Sequence, residues 1–263
     1  MSVELARVQP GARPFNARNI NDTWLGVLDL ADGTNIHAVL KDIYPKEMAN
    51  ELIGASLAIA LGLPVPRIFL AAAKPDVLPA EKALSGKGFR VLFASELKGT
   101  PSLMQYWTGV GEQLPQSMLE ALISWAQCGS AFAFDTWAAN VDRNIGNLLF
   151  GGPNDIWLID HGHIFTGQNW SGSHLKADSE YRNRMSEWLT PKFRGTQKGP
   201  LLRGIINMHE SAQIMDIDGI ISASRALEIL TPEDAKAMLT FLKDRVEHVP
   251  NIATKQAGIP RLL

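Results

Sequence analysis

The 263-residue chain is poor in cysteine and in net charge, and it has no apolar run long enough to span a bilayer. Its single cysteine, Cys128, can form neither an intrachain disulfide nor a thiolate zinc cage, and low cysteine use fits a reducing compartment. That thiol ends the apolar run Ile123-Ser124-Trp125-Ala126-Gln127-Cys128, which marks it as a small core residue rather than a nucleophile. Twenty-five Lys plus Arg against 27 Asp plus Glu leave a formal charge of −2, so no global field draws the chain to nucleic acid or to an anionic membrane. The opening MSVELARVQPGARPF lacks a basic segment followed by an apolar one, and the longest apolar stretches, 52–63 and 131–134, are too short or too interrupted for a transmembrane helix. Internal repeats and low-complexity tracts are missing too. These absences predict a soluble, cytoplasmic protein that binds neither nucleic acid nor membrane directly.

What is present is enough apolar material for a sizeable core: 46% hydrophobic and 20% charged residues are ordinary globular values and exclude disorder, collagen and coiled coil. The length suits one large domain or two small lobes. Segments 23–30 and 35–40 are apolar and β-branched and flank Asp32-Gly33, a hairpin turn signal. Met48, Leu52, Leu57 and Leu61 fall at helical spacings; Gly62 ends that helix and Pro64-Val65-Pro66 prevents its continuation. Two more strands are expected at 67–72 and 88–94, with an exposed loop over 75–86 between them. The character changes after Gly99-Thr100-Pro101. A long helix is expected over 116–137, then a hairpin with arms 147–150 and 156–159, a polar loop over 166–178, and a helix from Thr231-Pro232-Glu233-Asp234 to about 248. The expected fold is α+β and bilobal: a small antiparallel sheet with one helix in residues 1–99, and a mainly helical lobe in residues 100–263.

The chemistry concentrates in one stretch. Asp142 and Asn147 lie five apart where a helix ends, and Asp160 follows thirteen residues later, directly after a strand. Two oxygen ligands on adjacent hairpin arms, with a carboxylate on the preceding loop, suit a hydrated magnesium ion beside phosphates. Phosphoryl transfer asks for this set: a carboxylate to orient the attacking hydroxyl, an amide oxygen and a carboxylate for the metal, and a lysine for the nucleotide phosphates. Lys41, ending the apolar strand Ile36-His37-Ala38-Val39-Leu40, is the candidate lysine, and Glu51 in the next helix could pair with it, Glu47 being the competitor. At average residue usage, Asp142, Asn147, Asp160 and Gly162 at fixed offsets arise by chance in roughly one chain per thousand of this length, which favours a site over coincidence.

The stretch Asp142-Arg143-Asn144-Ile145-Gly146-Asn147, with Leu158-Ile159-Asp160-His161-Gly162, resembles the catalytic and metal loops of HipA-like kinases, relatives of the phosphatidylinositol-kinase fold. Val39-Leu40-Lys41, Asn50-Glu51-Leu52-Ile53 and Leu61-Gly62-Leu63-Pro64-Val65-Pro66 look like the small lobe of compact members, and Leu92-Phe93-Ala94-Ser95-Glu96-Leu97 is similar to the hinge that receives adenine. The resemblance covers about residues 15–165. It implies that Asp142 is the catalytic aspartate, Asn147 and Asp160 the magnesium ligands, Lys41 the phosphate-binding lysine, and the backbone of Glu96 and Leu97 the adenine contact. ATP and magnesium would be the cofactors and a protein serine or threonine hydroxyl the acceptor. Several such enzymes are toxins paired with an antitoxin. Larger members carry an extra N-terminal subdomain, which here would come from a separate polypeptide.

Departures from the family pattern are confined to three places. Asn144 stands where related lipid kinases often have histidine, and His161 where protein kinases have phenylalanine; neither removes a metal-binding oxygen. The would-be phosphate loop, Phe15-Asn16-Ala17-Arg18-Asn19-Ile20-Asn21-Asp22, has no glycine, so fewer backbone N–H groups can approach phosphates, and Arg18, Asn19 or Asn21 would have to substitute. That departure keeps two alternatives open: an inactive nucleotide-binding scaffold, and a kinase acting on a lipid or small molecule. His161 and His163 flank Gly162 without a third histidine or cysteine at ligand spacing, so His161 is read as a packing or positioning neighbour of Asp160. Arg143 is read as a contact to a phosphate or a loop carboxylate, or as a surface pairing. Asp135 and Asn140 are read as supports of the loop. Trp170, in the polar loop, is expected to fold onto the helical lobe, with contact to a partner as the alternative, and Trp125, Trp137 and Trp157 are read as core.

Overall fold

The computed structural model describes residues 2–15, 22–98, 116–152 and 155–260. The first part is a seven-stranded sheet built from β1 (Glu4–Val8), β2 (Arg13–Pro14), β3 (Asp22–Leu30), β4 (Asn35–Asp42), β5 (Ile68–Ala73), β6 (Leu84–Ser85) and β7 (Arg90–Glu96), with helix α1 (Pro45–Ala60) between β4 and β5. The strand order is β1-β5-β7-β4-β3-β2, β6 pairs with β7, and β1 also pairs with β3, so the order runs back on itself. The β3–β4 hairpin forms where the turn chemistry demands it. Asp32 Oδ1 accepts from the Thr34 N–H at 2.9 Å and from its hydroxyl at 2.6 Å, and Gly33 takes φ +82°, a conformation that favours glycine.

Two expectations about this part are corrected. The sheet is not purely antiparallel, because β1 runs parallel to β5 with Glu4 opposite Phe69. Parallel neighbours are joined by long connections rather than tight turns, and β1 buries only part of its short length, so no local signal announces it. The segment 75–86 is not simply an exposed loop: Leu78 and Ala83 are buried, and the buried carboxylate of Asp42 accepts the backbone N–H groups of Glu81 (2.7 Å), Lys82 (3.0 Å) and Ala83 (2.7 Å).

α1 starts with Pro45, whose missing N–H costs nothing at that position, and stops before Gly62 at φ +72°. It is buried on nearly all sides, between the sheet and the second half of the chain, rather than along one stripe.

The second half holds α2 (Gln116–Ser124), α3 (Cys128–Trp137), the hairpin β8 (Leu148–Gly152) and β9 (Asp155–Leu158), then α4 (Arg184–Trp188), α5 (Gly195–Gln213), α6 (Ile217–Ala223), α7 (Pro232–Arg245) and α8 (Val249–Gln256). The long helix expected over 116–137 is two helices. The apolar periodicity continues across the break, but Gln127 turns out to donate its side-chain amide to the Gly62 carbonyl at 2.6 Å. α3 is the spine of this half, with Phe132, Phe134 and Trp137 buried. It crosses α5 so closely that a Cβ on Gly129 would lie 2.3 Å from the Leu201 carbonyl oxygen. α7 begins as read, with the Thr231 hydroxyl accepting from the Asp234 N–H at 3.1 Å. Cys128 is buried and burial pushes its thiol up to about 12, so it is unreactive packing. Trp125 and Trp137 are core, while Trp157 is only half-buried. Among the described residues, no helix is long and apolar enough to cross a membrane.

Candidate active site

Lys41 is delivered by the end of β4, where its strand neighbours are Thr23 and Phe93. The side chain is 17% exposed, and Nζ meets Glu51 Oε1 at 2.6 Å and Asp160 Oδ1 at 3.1 Å. Burial works against its charge, but Asp160 and Glu51 outweigh that and hold the lysine well above its ordinary value. Glu51, and not Glu47, is the helix partner; Glu47 lies instead beside Gly162, where an added Cβ would stand 3.1 Å from Glu47 Cγ. Burial pushes the Glu51 carboxyl up, opposed by Lys41, and its second oxygen accepts the His161 backbone N–H at 2.8 Å. One carboxylate on α1 therefore holds both the lysine and the loop that carries Asp160.

Asp160 has φ +60°, in the left-handed region that aspartate tolerates better than most residues. Burial raises its pKa, but Lys41 overrides this and the net result is a carboxyl brought down to about 2, ionised at any physiological pH. His161 packs under it. A methyl on Gly54 would come within 2.5 Å of the His161 Cβ, and the Phe134 ring lies 5.9 Å away, edge-on. Burial pushes the imidazole well below its usual value, and Nε2 has no partner among the described residues, so the ring is a neutral packing element. The Nε2 of His163 faces Gln168 at 3.1 Å. Sequence reasoning missed Asn50, which faces the same loop. Its amide donates to the Gly162 carbonyl at 2.8 Å and the Gly167 carbonyl at 3.2 Å, and its oxygen accepts the Trp170 indole at 2.9 Å. A polar residue in the apolar run of α1 was the available signal. Trp170 is accordingly buried, but against α1, with Lys46 4.5 Å above its ring, rather than on the helical half alone.

The loop after α3 carries Asp142 and Asn147, and the Ile159 N–H, next to Asp160 in sequence, donates to the Asn147 carbonyl at 3.1 Å. Asn140 bridges the loop: its amide donates to Asp135 at 2.8 Å and its oxygen accepts the Asp142 N–H at 3.1 Å. Of the readings open for Arg143, which include contact with a nearby carboxylate, the structure shows the carboxylate contact, to Asp135, and not a surface pairing. Arg143 is fully buried, with Nε 3.0 Å from Asp135 Oδ2, and its Nη1 donates to the carbonyls of Asn147 (3.0 Å) and Ile159. The backbones at Asn147 and Ile159 are thereby tied to one guanidinium. Asn147 donates its amide N–H to the Asp142 carbonyl at 2.8 Å, which fixes its orientation, and its amide oxygen takes no hydrogen bond from a described residue. That oxygen and the Asp160 carboxylate, which is 35% exposed, are both hard oxygen donors of the kind a divalent cation such as magnesium takes. The Asp142 carboxylate is half-buried and pairs with Arg184 of α4, a partner no local spacing could have revealed.

Of the would-be phosphate loop, residues 15–22, positions 16–21 lie outside the described residues; the Phe15 N–H donates to the Thr23 carbonyl at 2.8 Å. At the expected adenine edge, the Glu96 N–H donates to the Arg67 carbonyl and the Leu97 N–H to the His37 carbonyl, both at 2.8 Å. Neither N–H is free to meet a purine. Lys98, next along, pairs with Glu96 at 2.7 Å and lies 5.0 Å over the Trp157 ring.

Comparison with solved structures finds the proinflammatory kinase CtkA of Helicobacter pylori at a TM-score of 0.59, with 14% identity and 98% of each chain covered. That likeness concerns the fold. No curated protein matches the chain. The model of the HipA-like kinase family matches residues 31–190, a span that takes in Lys41, Glu51, Asp142, Asn147 and Asp160. The chain belongs to the HipA-like kinase family.

Proposed function

We propose that the protein transfers the γ-phosphoryl group of ATP to a serine or threonine hydroxyl of another protein, using residues 1–99 as nucleotide lobe and 100–263 as catalytic lobe. The observation that carries the reading is the convergence of Lys41, Glu51 and Asp160 within 3.1 Å contacts, although they come from a strand, a helix and a loop up to 119 residues apart. A buried lysine held charged by two carboxylates has a use where a polyanion arrives, since phosphate oxygens can take over part of its pairing. Asn147 and Asp160 would hold magnesium, which when bound neutralises charge on the phosphates and on the departing diphosphate. Asp142 accepts the acceptor's hydroxyl proton while that oxygen bonds to the γ-phosphorus and the bond to the β,γ-bridging oxygen breaks, leaving ADP. Adenine would meet the Glu96–Leu97 edge through carbonyl oxygen or ring contact, both N–H groups being spent. A cytoplasmic setting and a toxin role with an antitoxin partner belong to the same proposal and are supported by the family alone.

The test is incorporation of label from γ-labelled ATP into protein, with and without magnesium, followed by phosphoamino-acid analysis. Wild type should label serine or threonine only with magnesium, and Asp142→Ala should lower the rate by ~10³-fold or more with an unchanged melting temperature. ATP-induced thermal stabilisation without any labelling would instead make the protein a nucleotide-binding scaffold.

A further inference from the structure

We infer that Arg184 is a positioning residue for Asp142, a fixed cation that orients the proton-accepting carboxylate from outside its own loop; the inference rests on the phosphotransfer role given above. The two residues are 42 apart in sequence, and Arg184 Nη1 donates to Asp142 Oδ1. Both side chains stay about one-third exposed, 33% and 31%, so the pair stands at the mouth of the site and leaves room beside the carboxylate. Among the described residues, the other carboxylate oxygen has only a long contact, 3.3 Å from the Asn144 amide. Arg143, the arginine next to Asp142 in sequence, is turned inward and spent on Asp135 and on backbone carbonyls. The cation that Asp142 uses has to come from elsewhere, and α4 brings it.

The way α4 is held separates a fixture from a brake. Asn183 caps it, accepting the Met185 N–H at 3.0 Å, while its buried amide donates to the Phe132 carbonyl at 3.1 Å and the Thr136 hydroxyl at 3.0 Å, both on α3. Met185 is fully buried, and the Trp188 indole donates to the Arg143 carbonyl at 3.1 Å. α4 is thus bolted to the helix that leads into the catalytic loop and to the loop itself, so Arg184 and Asp142 keep a common frame. A contact meant to be released would ride on a carrier that can swing away. Glu187, which could compete for Arg184, is engaged by Arg182 through two bonds of 2.6 and 2.8 Å. A charge-assisted hydrogen bond from the guanidinium to one carboxylate oxygen restricts the carboxylate's rotation and leaves the other oxygen for the incoming hydroxyl.

The experiment uses Arg184→Met, which keeps the aliphatic stem, and Arg184→Lys, both in the full chain. Turnover is measured at saturating ATP and magnesium, alongside KM for ATP and melting temperature. Arg184→Met should lower kcat ~30- to 100-fold with KM for ATP within about twofold of wild type, because misorientation of a reacting group acts on the rate and not on nucleotide binding. Arg184→Lys should recover part of the loss, and free guanidinium added to Arg184→Met should recover part of it as well. Undiminished or raised kcat in Arg184→Met overturns the inference, a rise marking the pair as a brake. Should Arg184→Met fail to fold, undiminished kcat in Arg184→Lys overturns it equally, since a compact ammonium on a flexible stem does not hold Oδ1 as the planar guanidinium does. Absence of phosphotransfer by wild type itself would remove the parent reading, and the inference with it; an active wild type with indifferent variants removes the inference alone.

Discussion

Two buried ionic clusters lie within a few residues of each other, and they are built to opposite specifications. Around Arg143 everything closes. Asp135 takes its Nε and Nη2 at 3.0 and 3.2 Å, two backbone carbonyls take Nη1, Asn140 completes Asp135, and neither charged side chain is exposed at all. Around Lys41 the cluster is open on one side: Glu51 is buried, but Asp160 keeps one carboxylate oxygen outside the lysine contact, and the Asn147 amide oxygen takes no hydrogen bond from a described residue. A closed knot of charge fixes geometry; an open one has bonding capacity left for a ligand. Burial follows the same line, with Arg143 and Asp135 unexposed and Asp160 35% exposed.

The comparison breaks if the two clusters respond alike to substitution. The largest separation is expected at Asp160. Asp160→Asn should cost at least ~10³-fold in phosphotransfer rate, roughly 4 kcal/mol of barrier. Its unfolding free energy should stay within about 1 kcal/mol of wild type, because Lys41 keeps Glu51 and the carboxylate is partly solvated. Next comes Arg143→Met, which strands the Asp135 carboxylate in a buried site; it should lose ~3–5 kcal/mol of stability in urea denaturation. A stable Arg143→Met would show that the closed knot is dispensable and that something other than Arg143 ties the two loops together.

The open cluster was also the more legible in sequence. Asp142, Asn147 and Asp160 fall in one continuous stretch at the end of a helix and along a hairpin, so their spacing alone marks them as a candidate site. Lys41 and Glu51 could be read because one ends an apolar strand and the other sits in the helix that follows. The β3–β4 hairpin was legible for the same reason, its turn being written in Asp32-Gly33-Thr34. What escaped are relations with no local trace. β1 lies parallel to β5 across more than fifty residues. The break at residues 125–127 hides inside an unbroken apolar period. Arg184 reaches Asp142 from a helix beyond a long polar loop. Arg143 was visible as a residue, but its inward turn depends on the placement of Asp135 and of two carbonyls, which only the folded chain assembles.

The smallest predicted effect sharpens the comparison by titration. Asp160 has its folded pKa brought down to about 2, from an ordinary 3.8. A depressed carboxylate contributes stability that is fully present above its unfolded value and is lost as pH falls toward its folded one, so the Asp160 contribution should fade between about pH 4 and pH 2. Glu51 and Asp135 are displaced upward by burial, so their slopes have the opposite sign and begin at their ordinary values of 4.5 and 3.8, extending toward higher pH. Lys41, raised above 10.5, is protonated in both states throughout that range and adds no slope there. Unfolding free energy measured from pH 5 down to pH 2.5 should therefore fall more steeply in wild type than in Asp160→Asn. The difference should be on the order of 1 kcal/mol, reduced from the full shift because the carboxylate is 35% exposed. Parallel curves would mean that Lys41 gains nothing from Asp160 when no nucleotide is bound, and that the open cluster is held together by Glu51 alone.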